Sequence, residues 1–210
     1  MKTYFKYPRT YHLPWSLGST NDDKFLESIE PFLDMDIVIT EKMDGENTNM
    51  YSDKYHARSI DSQEHPSRHF VKSIWGRIKH QIPYGWRICG ENLYAKHSIF
   101  YDDIESYFMV FSIWDENNIC FSWEETVDIC NLLNLKTVPV IENNIKFNVD
   151  YLKKLAYNWN INKSEGYVIR NKNKFNFNDF HNNVAKWVRN EHVNNDKHWM
   201  FKKVVPNKLK

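Results

Sequence analysis

Lys42 is the residue whose setting points most directly to chemistry. It closes the run Ile37-Val-Ile-Thr40-Glu41-Lys42 and is followed by Met43-Asp-Gly-Glu-Asn47. A β-branched run of this kind makes a buried strand, so its last residue is delivered to the edge of a core where a pocket can form. A lysine amine becomes a nucleophile once its proton is removed. Apolar walls and nearby cations favour the neutral form, whereas nearby carboxylates favour the ammonium. Asp44 and Glu46 are therefore expected to hold the Lys42 ammonium until a phosphate-bound metal shifts the balance. Taken alone, Lys-x-Asp-Gly fits a salt-bridged surface lysine beside a β-turn equally well.

Order and spacing strengthen the chemical reading. After Lys42 come Arg58 in His56-Ala-Arg-Ser59, Glu91 in Cys89-Gly-Glu-Asn92, the aromatic run Tyr107-Phe-Met-Val-Phe111, Glu165 in Ser164-Glu-Gly-Tyr-Val-Ile-Arg170, and the basic run Val184-Ala-Lys-Trp-Val-Arg189. Moving a nucleotide onto an amine needs a cation for the phosphates, an acceptor for ribose hydroxyls and an aromatic face for the base. It also needs a carboxylate for Mg²⁺ and cations against the charge developing at the α-phosphorus. The chain has only six glycines, and Gly45, Gly90 and Gly166 stand beside these polar residues at strand ends, where the backbone must turn or approach closely.

The elements that must position these groups read as mixed. Helical periodicity fits 22–33, 67–80, 122–134 and 149–158, with a capping box at Ser122 and Glu125. Strands are expected at 36–42, 47–52, 55–60, 86–93, 107–114, 166–170 and 184–189, several following one another without a helix between. That pattern favours α+β with antiparallel sheets. The Asn-rich stretch 171–183 reads as an exposed loop or hairpin. The 210 residues suit one domain, and 41% apolar with 16% aromatic side chains can bury a core. The longest apolar runs fall well short of the ~20 residues of a membrane span. With Cys89, Cys120 and Cys130 lacking metal-ligand spacing, a reduced, cytoplasmic setting is expected. Residues 151–210 hold 13 basic against 4 acidic side chains, net +9, and residues 1–150 hold 15 against 23, net −8. This asymmetry makes a polyanionic partner plausible.

The ordered set resembles the covalent nucleotidyltransferases, which comprise ATP-dependent ligases and mRNA capping enzymes. Glu41-Lys-Met-Asp-Gly-Glu-Asn47, Gly90-Glu-Asn-Leu-Tyr-Ala-Lys-His-Ser98 and Val184-Ala-Lys-Trp-Val-Arg-Asn-Glu-His-Val193 look most like the RNA-ligase branch. The resemblance runs from about the Pro8–Asp23 segment to Val193. It implies a nucleotidyltransferase (adenylyltransferase) core of two antiparallel sheets flanked by helices, with ATP in the cleft between them, ATP-grasp-like in outline.

Carried over by position, the resemblance implies that Lys42 attacks the ATP α-phosphate and becomes a lysyl-AMP adduct. Arg58 and Glu91 would hold phosphate and ribose, and Phe111 would stack on adenine. The Glu41 backbone would read the base edge, with Asp44, Gly45 and Asn47 completing the nucleotide site. Glu165 would hold Mg²⁺ or Mn²⁺, while Lys186 and Arg189 would act on the α-phosphate. Two departures stand out: Phe111-Ser112 where relatives often carry Phe-Asp, and Lys186-Trp-Val-Arg189 where Lys-x-Lys is common. Only 21 residues follow Arg189, too few for an appended OB-fold, so a minimal single-domain form over 1–210 is expected, acting as a monomer on broken or nicked RNA.

Other residues read as structural. Trp15, Trp75, Trp86 and Trp123 are expected as core anchors, the histidines as surface or core residues, Asp22-Asp23 as a helix cap, Asp102-Asp103 as a loop pair, the tail His198–Pro206 as packing back on the core, and the lysines Lys202-Lys203 to Lys208-Lys210 as solvated. Alternative readings are DNA nick sealing or another nucleotidyl transfer by the same core, and a non-catalytic RNA-binding module. The last would not require Lys42, Glu91 and Glu165 in this order.

Overall fold

The structure is a computed structural model that describes residues 4–17, 23–160, 164–190 and 204–210. Two sheets face each other. The first has five strands in the order β1 (Tyr11–His12), β12 (Val184–Val188), β10 (Gly166–Asn171), β2 (Asp36–Lys42) and β9 (Val140–Lys146). The second runs β11 (Phe175–Asn176), β7 (Ile119–Cys120), β6 (Phe108–Trp114), β5 (Arg87–Asn92), β3 (Glu46–Met50) and β4 (Tyr55–Ala57), with β8 (Lys136–Thr137) beside β6. Pairing is antiparallel except for β1 with β12 and β6 with β8.

The alternation of side chains along a strand decides which residues meet the cleft. Ile37 and Ile39 of β2, Tyr167 and Ile169 of β10, and Ala185 and Trp187 of β12 pack on the outer face with Leu152 of α3 (Val149–Tyr157). The intervening positions Thr40, Lys42, Val168, Arg170, Val184 and Lys186 therefore share the inner face. On the second sheet, Ile88 and Val110 point outward against α1 (His69–Ile78), whose Val71, Ile74 and Ile78 form one buried stripe, and against Cys130 of α2 (Trp123–Leu132). In β6 the partner of Cys89 is Ser112 and that of Gly90 is Val110, so Phe111 is the extra residue of a β-bulge. Bulges re-aim a side chain, and this one sits at the strand's cleft side.

Two glycines are demanded by close approach. A Cβ on Gly166 would stand 2.0 Å from the Trp187 carbonyl oxygen, and one on Gly45 would stand 2.5 Å from that of Asn92. Both would push apart strands that carry site residues.

Most expected elements are present within a residue or two, including the Ser122/Glu125 capping box on α2. The expected helix over 22–33 is not: its described part is irregular apart from a short 3₁₀ turn at Glu30–Phe32. Pro31 sits in the first turn of that 3₁₀ helix, where its missing N–H leaves no bond unmade. Asp23 is consequently no helix cap; Asp22 lies outside the described residues. The stretch 171–183 forms β11 and a 3₁₀ turn at Phe177–Asn182. Trp123 is fully buried, and Trp15, Trp75 and Trp86 pack against core clusters. Of the tail, 198–203 and the motif end 191–193 lie outside the described residues, while 204–210 packs back through bridges of Pro206 to Ala95 and Leu209 to Ile104.

Candidate active site

The cleft holds a cavity of about 420 Å³. Lys42 reaches it from the end of β2, with 27% of its side chain exposed, and its ammonium is paired with the Glu165 carboxylate. Glu165 itself is pinned by its backbone: its N–H donates to the Lys42 carbonyl (3.1 Å) and its carbonyl accepts from the Arg189 N–H (3.0 Å). Burial on its own would lower the Lys42 pKa, but Glu165, then Glu91 and Asp44, overcome it and hold the ammonium above its ordinary range. Burial pushes the Glu91 carboxyl up to about 8 against the pull of Lys42, with Glu165 and Asp44 adding repulsion. Asp44 is raised in the same way, by burial and then Glu165. Three carboxyl groups thus crowd one amine, and the crowding favours the protonated forms of Glu91 and Asp44.

A second cation lies two strands away. Lys186 of β12 and Lys42 of β2 flank β10, with Lys186 opposite Val168 and Lys42 opposite Gly166. Burial and then Lys42 lower the Lys186 pKa, while Asp23 and Glu165 oppose that shift. Lys186 Nζ donates to Asp23 Oδ1 at 3.2 Å. The same oxygen lies 3.2 Å from His12 Nε2, and His12 Nδ1 meets Ser16 Oγ at 2.8 Å. Ser16 in turn bonds both backbone groups of Val188. The N-terminal segment is in this way stitched to the strand that presents Lys186. Beside it, Arg58 is half-buried; its pKa is lowered by burial and then by the charge of Arg9, with Asp23 opposing.

The cavity also has apolar walls. Phe111 and Val168 line it from the two opposing sheets, joined by Val138 and Met43. Arg170 is buried and donates to the carbonyls of Phe111 (3.2 Å) and Phe121 (2.7 Å), which fixes the bulge. Tyr7 meets Phe111 edge-on at 5.1 Å. The cavity can hold a planar base between Phe111 and Val168, and phosphates among Lys42, Lys186 and Arg58.

Residues 35–188 match the RNA ligase family. The chain belongs to that family. Its fold is shared with solved structures of low identity: a Naegleria gruberi RNA ligase mutant with ATP and Mn (TM-score 0.56, 16% identity, 89% of this chain and 63% of that one), an archaeal ATP-dependent RNA ligase (0.57, 15%, 87% and 48%) and a putative ATP-dependent DNA ligase from Aquifex aeolicus (0.54, 19%, 90% and 55%). This RNA ligase family member therefore spans about half to three-fifths of the length of those proteins. Comparison with curated proteins gives no match.

Within this family member, Glu41, Lys42, Gly45, Asn47, Arg58, Glu91, Phe111 and Lys186 all line the one cavity. Asp44 does not. Its Oδ2 accepts from the N–H groups of Ser98 and Ile99 and from Ser98 Oγ at 2.6–2.7 Å, so it braces the turn after Lys42. Glu46 is not the partner of Lys42 either: it is paired with Arg68, Nε to Oε2 at 2.7 Å. Arg189 lies past the end of β12 and contributes its backbone to Glu165. The Glu41 N–H is donated to the Pro139 carbonyl at 2.9 Å.

Sequence reasoning missed Asp23, Arg9 and Arg170. Arg170 carried a signal, a charge inside an otherwise apolar strand, whereas Asp23 and Arg9 become legible only once the N-terminal segment is seen against β12. Among the described residues no group of three or more His, Cys, Asp or Glu is arranged to hold a metal on its own. A divalent cation nevertheless fits the donor chemistry beside Glu165, where the Glu91 and Asp44 carboxyl groups are close enough to act on the same amine. Mg²⁺ is characteristically bound by one or two carboxylates together with substrate phosphates.

Proposed function

We propose that this protein is an ATP-dependent RNA ligase that joins 3′-OH and 5′-phosphate RNA ends through a lysyl-AMP on Lys42, a chemistry suited to RNA repair. The observation that carries the reading is the Lys42 amine, held by Glu165 in a nucleotide-sized cavity with a second cation, Lys186, on the same sheet face. In the first step Lys42 Nζ loses its proton and attacks the α-phosphorus. The N–P bond forms, the bond to the β-phosphate oxygen breaks, and pyrophosphate leaves. A 5′-phosphate oxygen of RNA then attacks the same phosphorus, breaks the N–P bond and returns the amine. The 3′-OH next attacks the adenylated 5′-phosphate, forms the phosphodiester and releases AMP.

The side chains divide these tasks. Glu165 holds the ammonium in place between turnovers and is the group that would ligate Mg²⁺ or Mn²⁺. A bound divalent cation supplies charge that neutralises the triphosphate and weakens the hold of Glu165 on the Lys42 proton. Lys186, released from Asp23 towards the α-phosphate, opposes the charge that develops in both transfers at that phosphorus. Glu91 meets the ribose hydroxyls, Arg58 the phosphates, and Phe111 with Val168 the base.

RNA rather than DNA is the proposed substrate because of the family membership; the fold alone is also shared with a putative DNA ligase. Four nicked duplexes that differ only in whether each side of the nick is RNA test this. Sealing should require RNA on the 3′-OH side and tolerate DNA on the 5′-phosphate side. Equal sealing of all four, or a demand for DNA on the 3′-OH side, would overturn the RNA assignment.

A further inference from the structure

A second groove adjoins the cavity. The two share the wall formed by Tyr7, Pro8, Arg9 and Arg58, and the groove adds Lys6, Lys24, Tyr11 and His181 over a volume of about 490 Å³. Four of its lining residues are Lys or Arg, and among the described residues no Asp or Glu lines it. The shared wall touches the phosphate-binding side through Arg58 and the base-binding side through Tyr7, which meets Phe111 at 5.1 Å. Lys186 is bonded to Asp23, Asp23 acts electrostatically on Arg58, and Arg58 stands close enough to Arg9 for their charges to repel. Two like charges held together on a partly desolvated wall favour an anion between them. Further out, the rings of Tyr11 and His181 stack at 3.9 Å and 19°, and Lys24 lies 5.8 Å above the Tyr11 ring.

Resting on the ligase reading above, we propose that this groove holds the strand that carries the 5′-phosphate, with Arg58 and Arg9 on its terminal phosphate and Lys6 and Lys24 on the phosphates that follow. The chemistry of the transfer selects that strand. The group joined to the α-phosphorus is a 5′-phosphate, so the chain attached to it must leave past the phosphate-binding cations, and two of these, Arg58 and Arg9, line both the cavity and this groove. A pyrophosphate would use the two arginines and leave the outer lysines and the stacked Tyr11–His181 pair idle. A polynucleotide strand offers repeated phosphates for the lysines and a base face for the ring pair. The sequence places its excess of positive charge in residues 151–210, yet the groove draws its four cations from residues 6–58.

The test uses the double variant Lys6→Ala/Lys24→Ala in the full chain. Both residues line the groove and not the nucleotide cavity, and both are exposed, so thermal unfolding should be unchanged. Self-adenylation with labelled ATP should stay within about twofold of wild type. Affinity for a single-stranded RNA with a 5′-phosphate should fall roughly tenfold, and the slope of log K against log salt should flatten by about 1.4, two contacts at about 0.7 each. The same RNA with a 5′-hydroxyl and a free 3′-OH should bind weakly to both proteins and show little difference. Unchanged affinity and salt slope for the 5′-phosphate strand would overturn the proposal. An equal loss for both strands would overturn the strand assignment by showing a general polyanion surface. If the wild-type protein fails to adenylate, the ligase reading falls, while the binding and salt-slope comparison still judges the groove.

Discussion

At the scale of single residues, the account turns on carboxylates that surround one amine. Glu165 is expected to matter for transfer and little for folding, because its neutral isostere keeps the shape and the backbone bonds to Lys42 and Arg189. Glu165→Gln should unfold at nearly the wild-type temperature while adenylation falls by ~10²–10³-fold, the typical loss for a group that acts on transition-state charge. A variant that is simply unfolded would mark Glu165 as structural. Glu91 makes a pH prediction. Its folded pKa of about 8 stands above the ordinary 4.5, so between those values the native state keeps a proton that the unfolded chain releases. The unfolded state then binds fewer protons, and stability falls as pH rises through that window. Asp44, also raised, adds to the same slope. Glu91→Gln removes the Glu91 share, so the ligand-free variant should melt several °C above wild type at pH 9 and level with it near pH 4. A difference that does not change with pH would show that the carboxyl is not buried with its proton.

At the scale of elements, the segment 204–210 acts as a strap over residues 93–107. Asn207 is buried; its Nδ2 donates to the Leu93 carbonyl (2.8 Å), its Oδ1 accepts from the Tyr101 N–H (2.9 Å), and its carbonyl accepts from Tyr107 Oη (2.9 Å). The strapped segment carries Tyr101 Oη, which accepts from the Asp44 N–H, and the Ser98 and Ile99 groups that grip the Asp44 carboxylate. Asn207→Ala leaves two buried backbone groups without that partner, at a cost of about 1–3 kcal/mol, or a melting point lower by roughly 2–4 °C per kcal/mol. Adenylation should slow as well, because the turn after Lys42 loses its brace; a lower melting point with an unchanged rate would limit the strap to stability. Such links between remote segments leave no pattern in the sequence. What is legible is local: β2, β10 and α2 follow from apolar runs and a capping box. The helix expected over 22–33 does not form; its residues instead pair locally with β1 (Phe25 with His12) and turn at Glu30–Phe32. Strand β9 goes unread because it is an edge strand with polar side chains and an Asn144 at φ 63°, so neither alternation nor propensity marks it.

At the scale of the whole molecule, the order of motifs conveyed more than any motif singly. Lys42, Arg58, Glu91, Phe111 and Lys186 are spread over 145 positions of sequence and meet because two sheets turn alternate residues of their strands towards one cleft. The charge asymmetry was a poorer guide. Arg170 is buried as a brace and Lys186 is engaged with Asp23, and among the described residues no Lys or Arg of 151–210 lines the groove that adjoins the cavity. All of these arrangements serve one claim, that Lys42 takes the nucleotide covalently. The direct measurement is incubation of the purified protein with α-labelled ATP and Mg²⁺, followed by denaturing electrophoresis and mapping of the labelled peptide. The label should survive denaturation, lie on Lys42, be reversed by pyrophosphate and vanish in Lys42→Ala. Label that persists in that variant, maps to another residue, or never joins the folded wild-type protein would contradict the account.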